Sequence, residues 1–225
     1  MPARLRPTAP IALDAILVGD PGRALMLAQE LLEQPKMSNH ARGLWGYSGV
    51  TAAGRELTIQ STGMGGPSAA VVLADLAELG VKRAIRIGTC ASLGDLGLGE
   101  VLVVEEALPV RGSFAGPETT KEPRDAVRPD AGLTDRLKEA LPDAAAGRAV
   151  SLDSLHDPER GSPSLLGEAA DMQTAALLEA ASARGIAAAA VLIVSERSAS
   201  GQLPDEELEA AGKSTARVAA DILST

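Results

Sequence analysis

Two rhythms of apolar residues alternate along the chain. Short continuous runs, of the kind that form strands buried on both faces, cover residues 11–18 (IALDAILV), 84–87, 100–107, 148–152 and 188–194. Between them, apolar residues recur at helical spacing over 24–32, 67–80, 134–141, 169–184 and 204–223. Residues 44–50 and 55–60 read as a hairpin about the Ala52-Ala53-Gly54 turn, and residues 36–47 lead into it as a loop. Residues 111–130 have the Gly, Pro and charge content of a long loop, read as a flap or contact surface rather than a linker. Strand alternating with helix predicts an α/β fold.

The chain is organised around residues 61–94. After the apolar pair Leu57 and Ile59, the Gly63-Met64-Gly65-Gly66-Pro67 turn brings the backbone to a bend where glycine permits close ligand approach. Pro67 suits the first position of the helix, which Gly80 stops. The strand 84–87 then ends at Gly88-Thr89-Cys90-Ala91-Ser92, small residues that leave room for a ligand at the carboxyl end of a sheet strand. Arg86 interrupts that apolar strand. A buried guanidinium calls for an anion, either a structural Asp or Glu or a bound ligand held in its fork.

Composition narrows the chemistry. With 225 residues and 45% hydrophobic content the chain can bury one sizeable core, and a single domain over 1–225 is expected. A net charge of −9 offers no basic face to nucleic acid or an anionic membrane. The longest apolar runs fall short of a membrane span, and MPARLRPTAP has no signal-peptide core, which predicts a cytoplasmic protein. Cys90 is the only cysteine and His40 and His156 the only histidines, so neither a disulfide nor a Cys/His metal site is expected, and Cys90 reads first as a packing residue.

Other strand ends also gather polar residues. Gly19-Asp20-Pro21-Gly22-Arg23 follows the first strand and opens a helix, a place where backbone N–H groups point at an anion; an ordinary turn with a solvated Arg23 is the alternative. Arg42 sits exposed at a bend beside Gly43, with His40 either solvated or near a ligand. Asp171-Met172-Gln173 begin the helix 169–184, and Ser195-Glu196-Arg197 follow the strand 188–194.

Taken together and in order, GDPGRA (19–24), RGLWGYSG (42–49), TGMGGPSAA (62–70), RIGT (86–89), DMQTAAL (171–177) and VSER (194–197) resemble the nucleoside phosphorylase family of hexameric bacterial purine nucleoside phosphorylases and uridine phosphorylases. The resemblance implies a three-layer α/β/α fold with a central mixed, partly barrel-like sheet. It implies that Gly19, Arg23, Arg86 and Thr89 bind phosphate and that Arg42 is lent by a neighbouring subunit, in a dimer or a trimer of dimers. Three arginines suit a phosphate dianion better than a neutral water nucleophile, which favours phosphorolysis over hydrolysis. The implied reaction is displacement of the base of a ribonucleoside by phosphate, giving free base and ribose 1-phosphate through an oxocarbenium-like state, with Arg86 also counted among the catalytic groups. Inorganic phosphate is the co-substrate, and no cofactor or metal is implied.

By the same resemblance, Met64, Met172 and Gln173 face the ribose, and Cys90, Ala91, Leu155, Asp171 and Glu196 face the base. Glu196 and Arg197 are counted with Arg86 among the catalytic groups by this resemblance, Arg197 standing where uridine-type members carry an arginine near the base; Glu196 is either the acid that protonates the departing base or a salt-bridge partner of Arg197. The chain departs from the family pattern in several places. Gln173 stands where a glutamate accepts from the ribose hydroxyls, Leu155 and His156 stand where Phe-Tyr is usual, Glu159-Arg160 replace the pair that reads uracil, and the histidine lent from the N-terminus is missing. The base reading leans to purine, with a uridine phosphorylase left open. A hydrolytic nucleosidase of the same fold and a nucleoside-binding protein that has lost catalysis are the other readings.

Overall fold

The computed structural model describes residues 4–110, 125–153, 155, 166–197 and 201–225. The flap expected over 111–130 falls largely outside these residues, as do His156, Glu159 and Arg160.

Ten strands form one sheet: β1 (Asp14–Val18), β2 (Leu32–Asn39), β3 (Gly46–Thr51), β4 (Glu56–Ser61), β5 (Arg83–Ser92), β6 (Val101–Val110), β7 (Ala145–Leu152), β8 (Ala169–Asp171), β9 (Ala187–Arg197) and β10 (Gly201–Gln202). Five helices intervene: α1 (Pro21–Leu31), α2 (Gly66–Glu78), α3 (Ala131–Ala140), α4 (Thr174–Ser182) and α5 (Asp205–Leu223). The strand order is β10-β9-β6-β7-β8-β5-β1-β4-β3-β2, with parallel and antiparallel pairs mixed. A further parallel pairing of β9 with β5 closes β5, β8, β7, β6 and β9 into a barrel-like ring. None of the helices among the described residues is long and apolar enough to cross a membrane.

Period-two alternation divides the strand side chains between two cores. Ala15, Leu17, Ala84, Ala190 and Leu192 pack with α2 and α4 on one face. Ile16, Val18, Ile85, Ile87 and Val191 pack with α1, α3 and α5 on the other. The sheet is therefore sandwiched between helices, and its central strands read as continuous apolar runs because both faces are buried. Leu73 and Leu76 of α2 and Leu27 of α1 are fully buried. Truncating such a leucine to alanine costs about 2–5 kcal/mol.

The helix starts follow their capping chemistry. Asp20 precedes Pro21, and its Oδ1 accepts from the Arg23 N–H at 2.7 Å, so α1 begins three residues earlier than the apolar period alone suggests. Asp130 caps α3 in the same way through Leu133 N–H at 2.9 Å. On α2, the carboxylate of buried Asp75 accepts from the backbone of Arg4 and Leu5, both at 2.7 Å, and so fixes the N-terminal arm.

Several elements differ from the sequence expectation. β5 runs to Ser92 instead of stopping at Ile87, because Gly88 to Ala91 keep pairing with β9. The small residues there belong to the ring rather than to a loop. Residues 36–39 form part of β2, an outermost strand pairing only with β3 and bulged at Gln34, whose φ of 46° shifts the register between Glu33 and Lys36. Its polar, proline-containing text has no strand signature. Asp171 ends a three-residue strand, and the helix proper starts at Thr174, so Met172 and Gln173 occupy a strand-to-helix turn. Lastly, β9 extends through Glu196 and Arg197, which pair with β10.

Candidate active site

The carboxyl ends of the mutually parallel strands β1, β4 and β5 lie side by side, and each delivers one wall of a cavity of about 320 Å³. Gly19, Asp20 and Arg23 come from the β1–α1 turn, Gly63, Met64 and Gly65 from the β4–α2 turn, and Arg86, Gly88 and Thr89 from β5. Met172, Gln173 and Leu155 close it.

Local backbone demands explain two of these glycines. Gly63 has φ +72°, and a Cβ there would lie 2.6 Å from the Ser68 hydroxyl, which itself donates to Thr62 O at 2.6 Å and holds the turn onto α2. Gly88 makes room for its neighbour on the same strand face. A Cβ there would fall 2.6 Å from Nη2 and 2.8 Å from Cζ of Arg86, whose guanidinium folds back over the Gly88 backbone.

Arg86 is buried, with 4% of its surface exposed, and three protein acceptors orient it. Nη2 pairs with Asp171 Oδ2 at 3.0 Å, Nη1 donates to Gln173 Oε1 at 2.7 Å, and Nε donates to Thr174 Oγ1 at 3.1 Å. A guanidinium has five N–H donors. Three of them are used here, so one remains on each terminal nitrogen, a pair suited to two oxygens of one anion. The first alternative read from the sequence is thus observed: a structural carboxylate offsets the burial of Arg86, and two of its N–H groups remain without a protein acceptor among the described residues.

Arg23 stands opposite with no such tether. Burial lowers its pKa first; Asp20 pushes it back up, and Arg86 lowers it again. Among the described residues its guanidinium forms no ion pair. Asp20 instead accepts from its backbone. Two partly desolvated cations facing one cavity, only one of them paired to a carboxylate, create a site that a multivalent anion relieves.

The base-side expectations need correction. Asp171 is 1% exposed and already accepts from Ser151 Oγ at 2.6 Å, Thr174 N at 2.9 Å, Thr174 Oγ1 at 2.6 Å and Arg86. It lies beneath the cavity as the anchor of Arg86 and not on the wall facing a base. Cys90 is packed in the core beside α2 and α4, and burial raises its thiol pKa. A buried neutral thiol in that place is packing: alternation puts Cys90 on the same strand face as Ala84, Arg86 and Gly88, and α2 and α4 cover it there.

Ala91, Glu196 and Arg197 are half-buried and are not among the described residues lining the cavity. Ala91 pairs with Glu196 at the far end of β5 and β9. Successive strand side chains point to opposite faces, and Glu196 and Arg197 form no ion pair with each other among the described residues. Met64 is 83% exposed at the cavity mouth, and Met172 lies on the wall of this cavity and of an adjoining trough of about 520 Å³.

Arg42 is exposed and away from the cavity wall, in a 3-10 turn at Ala41–Gly43 with φ 59°. Asn39 Nδ2, donating to Leu44 O at 2.5 Å, and the Leu44 N–H, donating to Ala41 O at 3.1 Å, hold that uncommon backbone. His40 is exposed.

Sequence reasoning missed Ser151 and Thr174 and gave Asp171 a place against the base instead of under Arg86. A cluster of small polar residues at two strand ends was their only visible trace.

The sequence profile of the phosphorylase superfamily matches residues 14–225. The purine nucleoside phosphorylase DeoD-type of Bacillus cereus (strain B4264) is 31% identical over 206 residues, 85% of each chain. That of Oceanobacillus iheyensis is 39% identical over 99 residues, a match spanning 43% of this chain and only 42% of that protein's length. Among solved structures, the chain is similar in fold to purine nucleoside phosphorylase from Toxoplasma gondii in complex with immucillin-H, with TM-score 0.79, 24% identity and coverage of 95% and 90% of the two chains. It is likewise similar to uridine phosphorylase from Vibrio fischeri ES114, with TM-score 0.79, 22% identity and coverage of 95% and 92%.

Proposed function

Because the chain belongs to the phosphorylase superfamily, we propose that it is a nucleoside phosphorylase, cleaving the N-glycosidic bond of a ribonucleoside with inorganic phosphate to give free base and ribose 1-phosphate. One observation carries the reading: Arg23 and Arg86 face the same cavity, and Arg86, although paired with Asp171, keeps two N–H donors. A hydrolase would have to bury that positive charge beside a neutral water, without the offset that a dianion supplies.

In this mechanism phosphate lies in the cradle of Gly19, Arg23, Arg86 and Thr89. One of its oxygens approaches C1′ from the face opposite the base. The C1′–N bond breaks as the C1′–O bond forms, the bonding pair leaves with the base, and the positive charge gathering on the sugar is stabilised by the bound anion. Met64 and Met172 pack against the sugar, and Leu155 bounds the base. The leaving base takes up a proton, and Glu196 and Arg197 at the end of β9 are the candidate groups on that side. No cofactor or metal is needed beyond phosphate as co-substrate.

The base preference leans to purine, in keeping with the purine nucleoside phosphorylases among the relatives. Residues 1–225 act as one unit in the cytoplasm, as a homo-oligomer in which Arg42, exposed on a rigid turn, completes a partner's site.

The test is base release from inosine, guanosine, adenosine, uridine and thymidine, with and without phosphate. Phosphate-dependent release with formation of ribose 1-phosphate is expected. Full turnover in phosphate-free buffer would exclude phosphorolysis, and binding of nucleoside with no turnover in either buffer would leave a binding protein.

A further inference from the structure

Gln173 is 4% exposed and sits where three parts of the anion side meet. Its carbonyl faces donors: Oε1 accepts from Arg86 Nη1 at 2.7 Å and from the Thr62 hydroxyl at 3.1 Å. Its amino group faces acceptors: Nε2 donates to Gly63 O at 2.5 Å and to Gly65 O at 3.3 Å. A carboxamide has two acceptor sites and two donor hydrogens, and all are taken by protein.

The surroundings also dictate the type of residue. Backbone carbonyls cannot donate, so the group facing Gly63 and Gly65 has to be a donor. The guanidinium of Arg86 cannot accept, so the group facing it has to be an acceptor. Only a side-chain amide satisfies both at this reach. A carboxylate would set an anionic oxygen against the two glycine carbonyls, and an apolar side chain would leave those carbonyls and one Arg86 N–H unpaired in a buried place.

Thr62 extends the tie. Its N–H donates to Val18 O at 2.7 Å, and its hydroxyl is shared between Val18 O and Gln173 Oε1. Val18 is the residue before Gly19. One amide thus links the end of β1, the turn after β4 and the guanidinium on β5.

We propose that Gln173 is a positioning residue for phosphate, holding Arg86 in register with the Gly63–Gly65 turn, and that its saturated amide does not accept from the sugar hydroxyls. The inference rests on the phosphorolytic reading above and replaces the ribose contact expected for Gln173 from the sequence. It predicts that loss of Gln173 is felt in phosphate binding and not in recognition of the sugar.

The experiment is a set of steady-state measurements on the full chain and on Gln173→Ala. Phosphate and nucleoside are varied separately, using matched pairs such as inosine with 2′-deoxyinosine and uridine with 2′-deoxyuridine. Calorimetric titration with inorganic phosphate gives a reading without turnover.

For Gln173→Ala, the phosphate KM and Kd are expected to rise about tenfold or more, the range set by losing a hydrogen bond to a charged group, while the nucleoside KM stays within about threefold. The ratio of kcat/KM between ribo- and deoxyribonucleoside should stay within about twofold of the unsubstituted protein. If Gln173→Ala does not fold, Gln173→Glu keeps the volume and the acceptor for Arg86 but sets an anion against the two glycine carbonyls and the bound phosphate, and the same split is expected with a rise at least as large.

A nucleoside KM that rises while phosphate binding holds, or a ribo/deoxyribo ratio that collapses, would overturn the inference and leave the phosphorylase reading intact. Base release from the unsubstituted protein that is indifferent to phosphate would overturn both.

Discussion

The groove between α3 and strands β6 and β7, at about 770 Å³, is more than twice the size of the cavity at the ends of β1, β4 and β5, at about 320 Å³. Both are lined by arginine, yet their chemistry differs. In the groove Arg148 and Arg128 pair with Glu106 and Lys138 with Glu105, and these cations are 38–81% exposed. Every cation there already has a carboxylate partner close to water, where an ion pair contributes little and leaves a ligand little to neutralise. In the smaller cavity Arg23 forms no ion pair among the described residues, and Arg86 keeps two N–H donors beyond those its protein partners use. What distinguishes a binding arginine is the donor capacity and the uncompensated charge left after its protein partners are counted.

The sharpest way to break this contrast is to remove Arg86. Arg86→Met strands Asp171 in the interior and is expected to cost about 3–5 kcal/mol in urea unfolding. It should also lower kcat/KM by about a thousandfold, as loss of a preorganised donor does. A destabilisation under about 1 kcal/mol would mean that the pair is no more than a surface-type bridge.

Arg23→Met separates binding from stability. Phosphate affinity should fall about a hundredfold, for the loss of a charge-assisted contact in a partly buried site. The phosphate-induced rise in melting midpoint should largely vanish with it. Without phosphate the midpoint should hold or rise. The folded state lowers the pKa of Arg23 relative to the unfolded chain, so the charged form is penalised at every pH below that lowered value, and the penalty fades only in strong alkali. A marked fall in the phosphate-free midpoint would show that Arg23 supports the fold.

Gly88→Ala tests the close approach of the guanidinium. Its Cβ would meet Arg86 and, at 2.8 Å, Leu192 Cδ2, so a cost of about 1–3 kcal/mol and a rise in phosphate KM of about tenfold are expected. The smallest effect belongs to the groove. Arg148→Ala should shift stability by no more than about 1 kcal/mol and leave kinetics unchanged, and a loss of activity there would undo the comparison.

Much of this was legible in the sequence because it follows from local rules. Arg86 stood out as a cation in an apolar strand, the glycines at 63 and 65 as turn formers, and the central helices and strands by their period. What stayed hidden depends on partners distant in the chain. Gly88 to Ser92 look like loop text, and only their pairing with β9 and β8 makes them strand. β8 is three residues long inside an alanine-rich run that reads as helix. Asp171 is given its task by Ser151 and Arg86. The Gln173 amide reads as a weakened acceptor until Gly63 and Gly65 are seen to require its N–H groups.

The ring closed by β5 and β9 has a bearing on solubility. Strands inside it have no open flank, so the sheet offers a second molecule only β2 and the two-residue β10 among the described strands. β2 is a poor template for intermolecular pairing: Pro35 has no N–H, Gln34 bends the backbone out of line, and Glu33 and Lys36 bring charge to the exposed border. The architecture that gathers the anion-binding corner thus also leaves a hydrophobic, alanine-rich chain with little exposed backbone on which to aggregate.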